Sequence, residues 1–429
     1  MKKGSIKTFP GGSHIVDKKF LTRENVTEKL PRPEDVFISL SQHIGAPAIS
    51  VVEEGSLVKK GQLLAKLAGT VSANIYASVS GKVVGLIMKK TAMGASTQHI
   101  HIKSSGEDET LLKSLIDREP NTILKRIEEA GIVGMGGAGF PTSVKLNSAK
   151  PIDTLLINGA ECEPYLTCDE RLVREKSEQV LLGAKLMATA CGASDVIFCI
   201  EANKPECIEI LEKANAKVII LKKKYPQGAE KHLIFAALKR RVEPGKLPAE
   251  VGVVVQNIAT AFAVYNAVEL NMPLTERIMT VSGEAISCPK NIVVPIGTPL
   301  KNVIEFCGGT SEDTAKLIVG GPMMGFAISE TEIATTKGTN GLIALTKAQA
   351  QLLDPTPCIN CGKCARVCPM KLMPMFIDAY ALANEFDYAV KYGALNCMEC
   401  GCCAYVCPAR RAIVQSVRYT KAKLKEKKS

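Results

Sequence analysis

Cys358-Ile-Asn-Cys361-Gly-Lys-Cys364-Ala-Arg-Val-Cys368-Pro369 is repeated as Cys397-Met-Glu-Cys400-Gly-Cys402-Cys403-Ala-Tyr-Val-Cys407-Pro408, and both copies follow C-x2-C-x2-C-x3-C-P. Three thiolates on one tight loop can hold three corners of an iron–sulfur cubane, so the fourth must arrive from elsewhere. Zinc sites built from two C-x2-C pairs leave the third and fourth cysteines and the proline without a purpose. A disulfide framework belongs to small secreted chains, and this chain is long and opens Met1-Lys-Lys-Gly-Ser5 without an apolar export signal. Cys402 falls outside the repeat.

The spacing resembles that of bacterial ferredoxins with two [4Fe–4S] clusters, in which the fourth cysteine of each run serves the other cluster. That resemblance implies one cluster on Cys358, Cys361, Cys364 and Cys407, and a second on Cys397, Cys400, Cys403 and Cys368. The helical spacing of Met375, Phe376, Tyr380, Leu382, Ala383, Phe386 and Ala389 places helices between the runs.

The 429 residues suffice for about three domains. Hydrophobic residues make up 46% and charged residues 23%, a globular balance. No apolar run reaches the ~18 residues of a membrane helix, and Leu317 to Ile328 is broken by Gly320, Gly321 and Pro322. The scattered Cys191, Cys199, Cys207, Cys288 and Cys307 read as small hydrophobes, whereas Cys162 and Cys168 flank an acidic motif. Net charge is +11, and from Arg410 to Ser429 eight basic residues face Glu426 alone. Few aromatics and no nucleic-acid module leave that tail as a solvated segment, or a docking segment for anionic lipid or a partner subunit.

From Asp35 to Lys103, short period-two apolar runs alternate with glycine turns, which predicts a small all-β unit. Its order resembles the barrel-sandwich hybrid of biotinyl and lipoyl domains. Their modified lysine is missing from the hairpin Gly69-Thr-Val-Ser-Ala-Asn-Ile-Tyr76, so the likeness is one of fold and no swinging arm is expected. His99 and His101 share a strand face and read as ordinary strand histidines.

Leu112, Leu115, Ile116, Ile123, Leu124 and Ile127 have helical spacing and lead into Gly131-Ile-Val-Gly134-Met-Gly136-Gly137-Ala-Gly139-Phe-Pro141-Thr. A helix-like segment precedes the glycines where a Rossmann turn needs a strand. The glycines still permit backbone amides to close on a phosphate or a planar ring. Next comes a strand, Thr154 to Asn158, opening into Gly-Ala160-Glu161-Cys-Glu163-Pro-Tyr, then an α/β unit over Ala184 to Ala216 and a further strand from Lys217.

This middle region resembles the flavin- and NADH-binding subunit of respiratory complex I. The likeness rests on G-x-G-G-A-G-F-P-T with Lys145, on N-x-x-E-x-E-P with the later Asp169-x-Arg171, on Tyr225-x-x-Gly228-x-Glu230, and on Asn257-x-x-Thr260. It implies that Gly134, Gly136, Gly137 and Gly139 cradle FMN and nucleotide, with Lys145 near anionic oxygens and Asn158, Asn257 and Thr260 at the flavin. It places Tyr225, Gly228 and Glu230 on the nucleotide loop, and Glu161 and Glu163 as candidate catalytic acids. One flavin-contacting acid of the family is Ala160 here.

Val281-Ser-Gly-Glu-Ala and Val293-Val-Pro-Ile-Gly297 resemble a soluble-ligand-binding β-grasp domain, and Gly320 to Gly325 reads as a tight strand connection. The whole chain is thus α/β and multidomain: residues 1–105 with the barrel-sandwich hybrid, 106–272 the flavin domain, 273–350 the β-grasp, 351–415 the two-cluster domain and 416–429 the basic tail. That order resembles the C-subunit family of the Rnf complexes, membrane-associated ferredoxin:NAD+ oxidoreductases. The resemblance implies FMN, two [4Fe–4S] clusters and NAD(H) as substrate. It also implies sister subunits that link the chain to ferredoxin and ion movement, and a peripheral position on the cytoplasmic face of the membrane. A cobalamin reductase of similar architecture and a structural zinc scaffold are the alternatives.

Overall fold

The computed structural model describes residues 5–106, 117–137, 139–351 and 354–427. Leu112, Leu115 and Ile116 of the expected helix, and Lys428 of the tail, lie outside them.

Asp35–Ser39, Ser96–Ser104, Gly81–Lys90 and Leu57–Val58 form an antiparallel sheet in that order, facing a second of Ile49–Ser50, Leu63–Lys66 and Ile75–Tyr76. Alternate residues turn inward, so Val36, Ile38, Leu64, Ile75, Ile100 and Ile102 are fully buried. Each contributes about 1.5–3 kcal/mol of transfer free energy. This is the expected barrel-sandwich hybrid, and its hairpin is pinned. Ala73 packs into the core of the next domain, its N–H donates to His43 Nε2 at 3.2 Å, and the Asn74 carbonyl accepts from Lys337 Nζ at 2.6 Å. His99 and His101 are engaged separately, by the Thr97 carbonyl and by Asp35.

The central domain is a parallel sheet in the order Lys217–Leu221, Asp195–Glu201, Thr154–Gly159, Val253–Asn257. Its strands are apolar on both faces, as helices on both sides require. Leu155 and Ile157 point into one core with the helices Cys168–Cys191 and Ile258–Glu269, while Leu156 points into the other with Glu230–Leu238. Cys199 and Cys207 are buried in these cores, as small hydrophobes. Thr154–Gly159 is followed by strands on one side and finally joined by Val253–Asn257 on the other. The order reverses between those two, and ligands of open α/β sheets bind outside the carboxyl ends at such a point.

The β-grasp sheet runs Glu28–Lys29, Lys290–Pro295, Glu276–Ser282, Gly341–Thr346, Thr314–Val319, Phe326–Ile328, with the helix Leu300–Phe306 against it. Gly320 to Gly325 connects its last two antiparallel strands, the tight turn expected. Its first strand comes from the N-terminal segment, which the sequence did not announce. That segment stitches the central domain to the β-grasp: Lys7 bridges to Leu221, Ser13 to Tyr225, and Glu28–Lys29 to Ile292 and Val293. A buried polar knot seals the seam, with Thr22 Oγ1 2.7 Å from Thr167 Oγ1 and the Asn291 carboxamide accepting from Thr167 and Thr280.

In the C-terminal unit, helices Pro374–Leu382, Phe386–Lys391 and Ile413–Glu426 pack together beside the short helices Lys363–Val367 and Cys402–Tyr405. The basic segment is a folded helix instead of a solvated tail. Ile413, Ser416, Val417 and Thr420 bury one stripe at helical spacing. Arg418 and Lys421 each reach Glu399 at 2.8 Å. Among the described residues no helix is long and apolar enough to cross a membrane.

Candidate functional site

Asn158 and Asn257 are register partners at the carboxyl ends of the two strands that meet at the switch point. Asn158 Nδ2 donates to the Gly228 carbonyl at 2.9 Å, and its Oδ1 accepts the Ala160 N–H at 3.2 Å. Asn257 Oδ1 caps the helix Ile258–Glu269 by accepting the Ala259 N–H at 2.8 Å. Its Nδ2 donates to Asp169 Oδ2 at 2.6 Å. The glycine-rich loop closes on the same group: the Met135 N–H donates to Thr260 Oγ1 at 3.2 Å, and a Cβ at Gly136 would stand 3.0 Å from the Asn257 side chain. Lys145, on the short helix after the loop, forms an ion pair with Glu230, two residues past Gly228. The four motifs, distant in sequence, therefore make a ring: glycine loop, Thr260 and Asn257, Asn158, Gly228 with Glu230, and Lys145.

That ring has what a planar anionic cofactor needs. One wall is backbone without Cβ, where a Cβ at Gly137 would meet nothing within 4 Å. The other carries carboxamides and an ammonium group. The residues fit a flavin mononucleotide.

The acid loop lies just beyond. Glu161, at φ 42°, accepts the N–H groups of Asp169 (2.7 Å) and Glu170 (3.3 Å) and so caps the helix Cys168–Cys191. The Glu163 carboxylate accepts the N–H groups of Met323 and Met324, both at 3.0 Å, and the Tyr225 hydroxyl at 3.4 Å. Burial pushes both acids up to about 7, against the opposing pull of Lys19 on each. Burial also pushes the Cys162 thiol up to about 12, and Cys162 Sγ accepts the Gly228 N–H at 3.4 Å. Two buried lysines hold the loop by its carbonyls: Lys19 Nζ donates to Glu163 (3.1 Å) and to Leu166, and Lys204 Nζ to Ala160 (2.7 Å). Neither lysine had any signal in the sequence, because each stands alone in mixed surroundings. The oxygens of Glu161 and Glu163 are committed to protein donors, which points to positioning in place of direct chemistry.

Tyr225 precedes a cis peptide bond to Pro226 and is buried against Cys400 and Cys402. The Cys402 thiol donates to the Tyr225 carbonyl at 3.6 Å, which gives this unrepeated cysteine a place at the domain junction. The Gly12 N–H donates to the Val367 carbonyl at 2.7 Å, and His232 Nε2 to the Pro369 carbonyl at 3.0 Å. The eight repeat cysteines fall into two small cavities. Cys358, Cys361, Cys364 and Cys407 line one, and Cys368, Cys397, Cys400 and Cys403 the other. Burial raises the Cys368 and Cys397 thiols, and the backbone N–H groups of Leu372 and Glu399, donated to their sulfurs at 3.3 and 3.4 Å, offset this in part. The second set abuts the Tyr225 loop, whereas the first faces outward, with Cys358 exposed.

Comparison with known proteins agrees with this anatomy. The RnfC barrel sandwich hybrid domain matches residues 7–107, the Nuo51 FMN-binding domain 127–266, the SLBB domain 278–327 and the 4Fe-4S dicluster domain 350–408. FMN and [4Fe–4S] clusters are accordingly the cofactors of this architecture. The C subunit of the proton-translocating ferredoxin:NAD+ oxidoreductase complex of Clostridium ljungdahlii is 46% identical, over 97% of this chain and 94% of its own. The C subunit of an ion-translocating oxidoreductase complex of Rhodobacter capsulatus is 45% identical over 98% and 83%. That of the Na+-translocating complex of Acetobacterium woodii is 43% identical over 97% of both. An NAD+-reducing [NiFe]-hydrogenase shares the fold over 71% of this chain and 62% of its own, with a TM-score of 0.52 at 19% identity. The chain belongs to the C-subunit family of the ion-translocating ferredoxin:NAD+ oxidoreductase (Rnf) complexes.

Proposed function

We propose that this chain is the NAD(H)-linked subunit of a membrane-associated ferredoxin:NAD+ oxidoreductase, held peripherally on the cytoplasmic face by sister subunits that couple electron flow to ion movement. The observation that carries the reading is the ring of flavin-type motifs joined, through the Tyr225 loop, to the second of two four-cysteine sets. When bound, FMN exchanges a hydride with the nicotinamide and electrons singly, and each [4Fe–4S] cluster passes one electron.

The chain's own groups divide the remaining work. The amides and Cβ-free backbone of Gly134, Gly136, Gly137 and Gly139 close on the cofactor, and Lys145 supplies charge to its anionic oxygens. Asn158, Asn257 and Thr260 orient it from the strand ends. Glu230 holds Lys145 in place, and Gly228 keeps the nucleotide loop close to Asn158. Glu161 and Glu163 fix the acid loop against the helix start and the β-grasp turn. Tyr225 and the segment around Gly12 exclude water from the junction with the second cysteine set. Cys358, Cys361, Cys364 and Cys407 hold one cluster, and Cys397, Cys400, Cys403 and Cys368 the other.

Anaerobic purification tests this directly. About eight iron, eight sulfide and one flavin per chain, with NADH-driven reduction of an artificial acceptor, is the expected result. Zinc without sulfide would overturn it.

A further inference from the structure

Between the central domain and the β-grasp lies a chamber of about 580 Å³, inside the roughly 300–1,000 Å³ range of small-molecule sites. The helices Cys168–Cys191 and Ile258–Glu269 wall one side, and the strands Glu276–Ser282 and Lys290–Pro295 the other. Leu172, Phe262, Ala263, Leu274, Ile278 and Val293 make the lining mostly apolar. The chamber is separate from the flavin-type ring. Asn158, Gly228, Glu230 and Lys145 line no part of it, and Met135, whose N–H reaches Thr260, borders both.

The polar groups of the wall divide by charge. Both acids are already paired: Glu175 accepts Arg171 Nε at 2.8 Å and the Thr27 N–H at 3.0 Å, and Glu276 pairs with Lys60. The donors are not. Arg277, only 3% exposed, gives Nη2 to the Met135 carbonyl at 3.1 Å, while its Nε has no partner and the residue no ion pair among the described residues. The carboxylate that feels its charge, Asp169, is held by Asn257 Nδ2 at 2.6 Å and lies outside the lining. The Asn266 carboxamide, the hydroxyl of the buried Thr275 and the Lys176 ammonium also have no partner among the described residues. A buried guanidinium with an unmet donor, set in the wall of an apolar chamber, calls for an anionic acceptor.

We propose that this chamber binds a small amphipathic carboxylate, its head group toward Arg277 and its chain along the apolar walls. A neutral apolar guest would leave Arg277 unsatisfied. A nucleotide would set its phosphates among apolar walls with no glycine loop to meet them.

The chain contains no tryptophan, so Val26→Trp, at a lining position that is 67% exposed, places a single reporter at the rim. In the full chain carrying its cofactors, with octanoate as the probe, the emission should shift saturably in the submillimolar range. Octanol should need about tenfold more, as should octanoate once Arg277→Met is added. NADH should leave the octanoate curve unmoved. No saturable shift, an equal response to octanol and octanoate, or competition by NADH would each overturn the proposal. Should Arg277→Met lose iron or flavin, the double variant Asn266→Leu/Lys176→Glu, at two positions without partners, decides: a several-fold weaker octanoate response upholds the site, and an unchanged one overturns it.

Discussion

The Cys402 thiol lies 3.6 Å from the carbonyl oxygen of Tyr225, joining the second cysteine run to the loop that passes the flavin-type ring. Cys402 borders the same cavity as Cys400, Cys403, Cys368 and Cys397, but it stands outside the C-x2-C-x2-C-x3-C-P repeat and its thiol is turned to the Tyr225 carbonyl. Cys402→Ala should therefore keep about eight iron per chain. Cys368→Ala should damage the cluster opposite its own run, leaving the set of Cys358, Cys361, Cys364 and Cys407 intact. Iron counts with the low-temperature electron paramagnetic spectrum of the reduced protein check both; equal losses in the two variants would contradict the assignment.

Glu163 ties the central domain to the β-grasp turn through the N–H groups of Met323 and Met324. Burial raises its folded-state pKa from 4.5 to about 7, and that of Glu161 likewise. Between those values the folded protein binds protons that the unfolded chain releases, so their contribution is full below pH 4.5 and is lost as pH rises through 7. Glu163→Gln keeps an acceptor and cannot ionise. Its melting temperature should fall less steeply from pH 4.5 to 7 than the parent's, while Glu163→Ala, which orphans two amides, should be destabilised by about 1–3 kcal/mol at every pH in that range.

Lys337 behaves in the opposite sense. It is fully buried, donates to the carbonyls of Asn74 (2.6 Å) and Gly131 (2.7 Å), and burial lowers its pKa from 10.5 to about 7. The unfolded chain binds the extra proton between those values, so stability from this residue rises from pH 7 toward 10.5 and is lost as pH falls through 7. Lys337→Met should flatten that rise. It should also free the pinned hairpin, seen as faster hydrogen exchange at residues 69–76 with exchange in the strand Thr154–Gly159 unchanged.

How much of this was legible depends on where each signal resides. The cysteine sets were readable because three cysteines of each lie within one turn-forming run. The flavin motifs were readable because Asn158, Tyr225 and Asn257 each sit at a strand end or loop whose composition survives in sequence. The strand Glu28–Lys29 was not, since two polar residues become a strand only through pairing with Ile292 and Val293. Lys19, Lys204 and Lys337 look like any surface lysine, and burial is a tertiary property. In the C-terminal helix, Arg418, Lys421, Lys423 and Lys425 masked a stripe in which Ser416 and Thr420 alternate with Ile413 and Val417. A narrow, half-polar stripe carries little periodic signal.

The two central glycines of the loop separate protein packing from cofactor contact. A Cβ at Gly136 would stand 3.0 Å from Asn257. Gly136→Ala must displace the carboxamide that caps the helix Ile258–Glu269 and bonds Asp169. It should lower thermal stability by about 1 kcal/mol through the cap and weaken flavin together. At Gly137 a Cβ meets nothing within 4 Å. Gly137→Ala should therefore leave the melting temperature of the flavin-free protein unchanged and yet weaken FMN binding several-fold, because the added methyl would occupy only the space the ring reserves for cofactor. Flavin fluorescence titration against calorimetry of the same sample reads both quantities. Unaltered FMN affinity in Gly137→Ala would place the cofactor away from this wall of the ring.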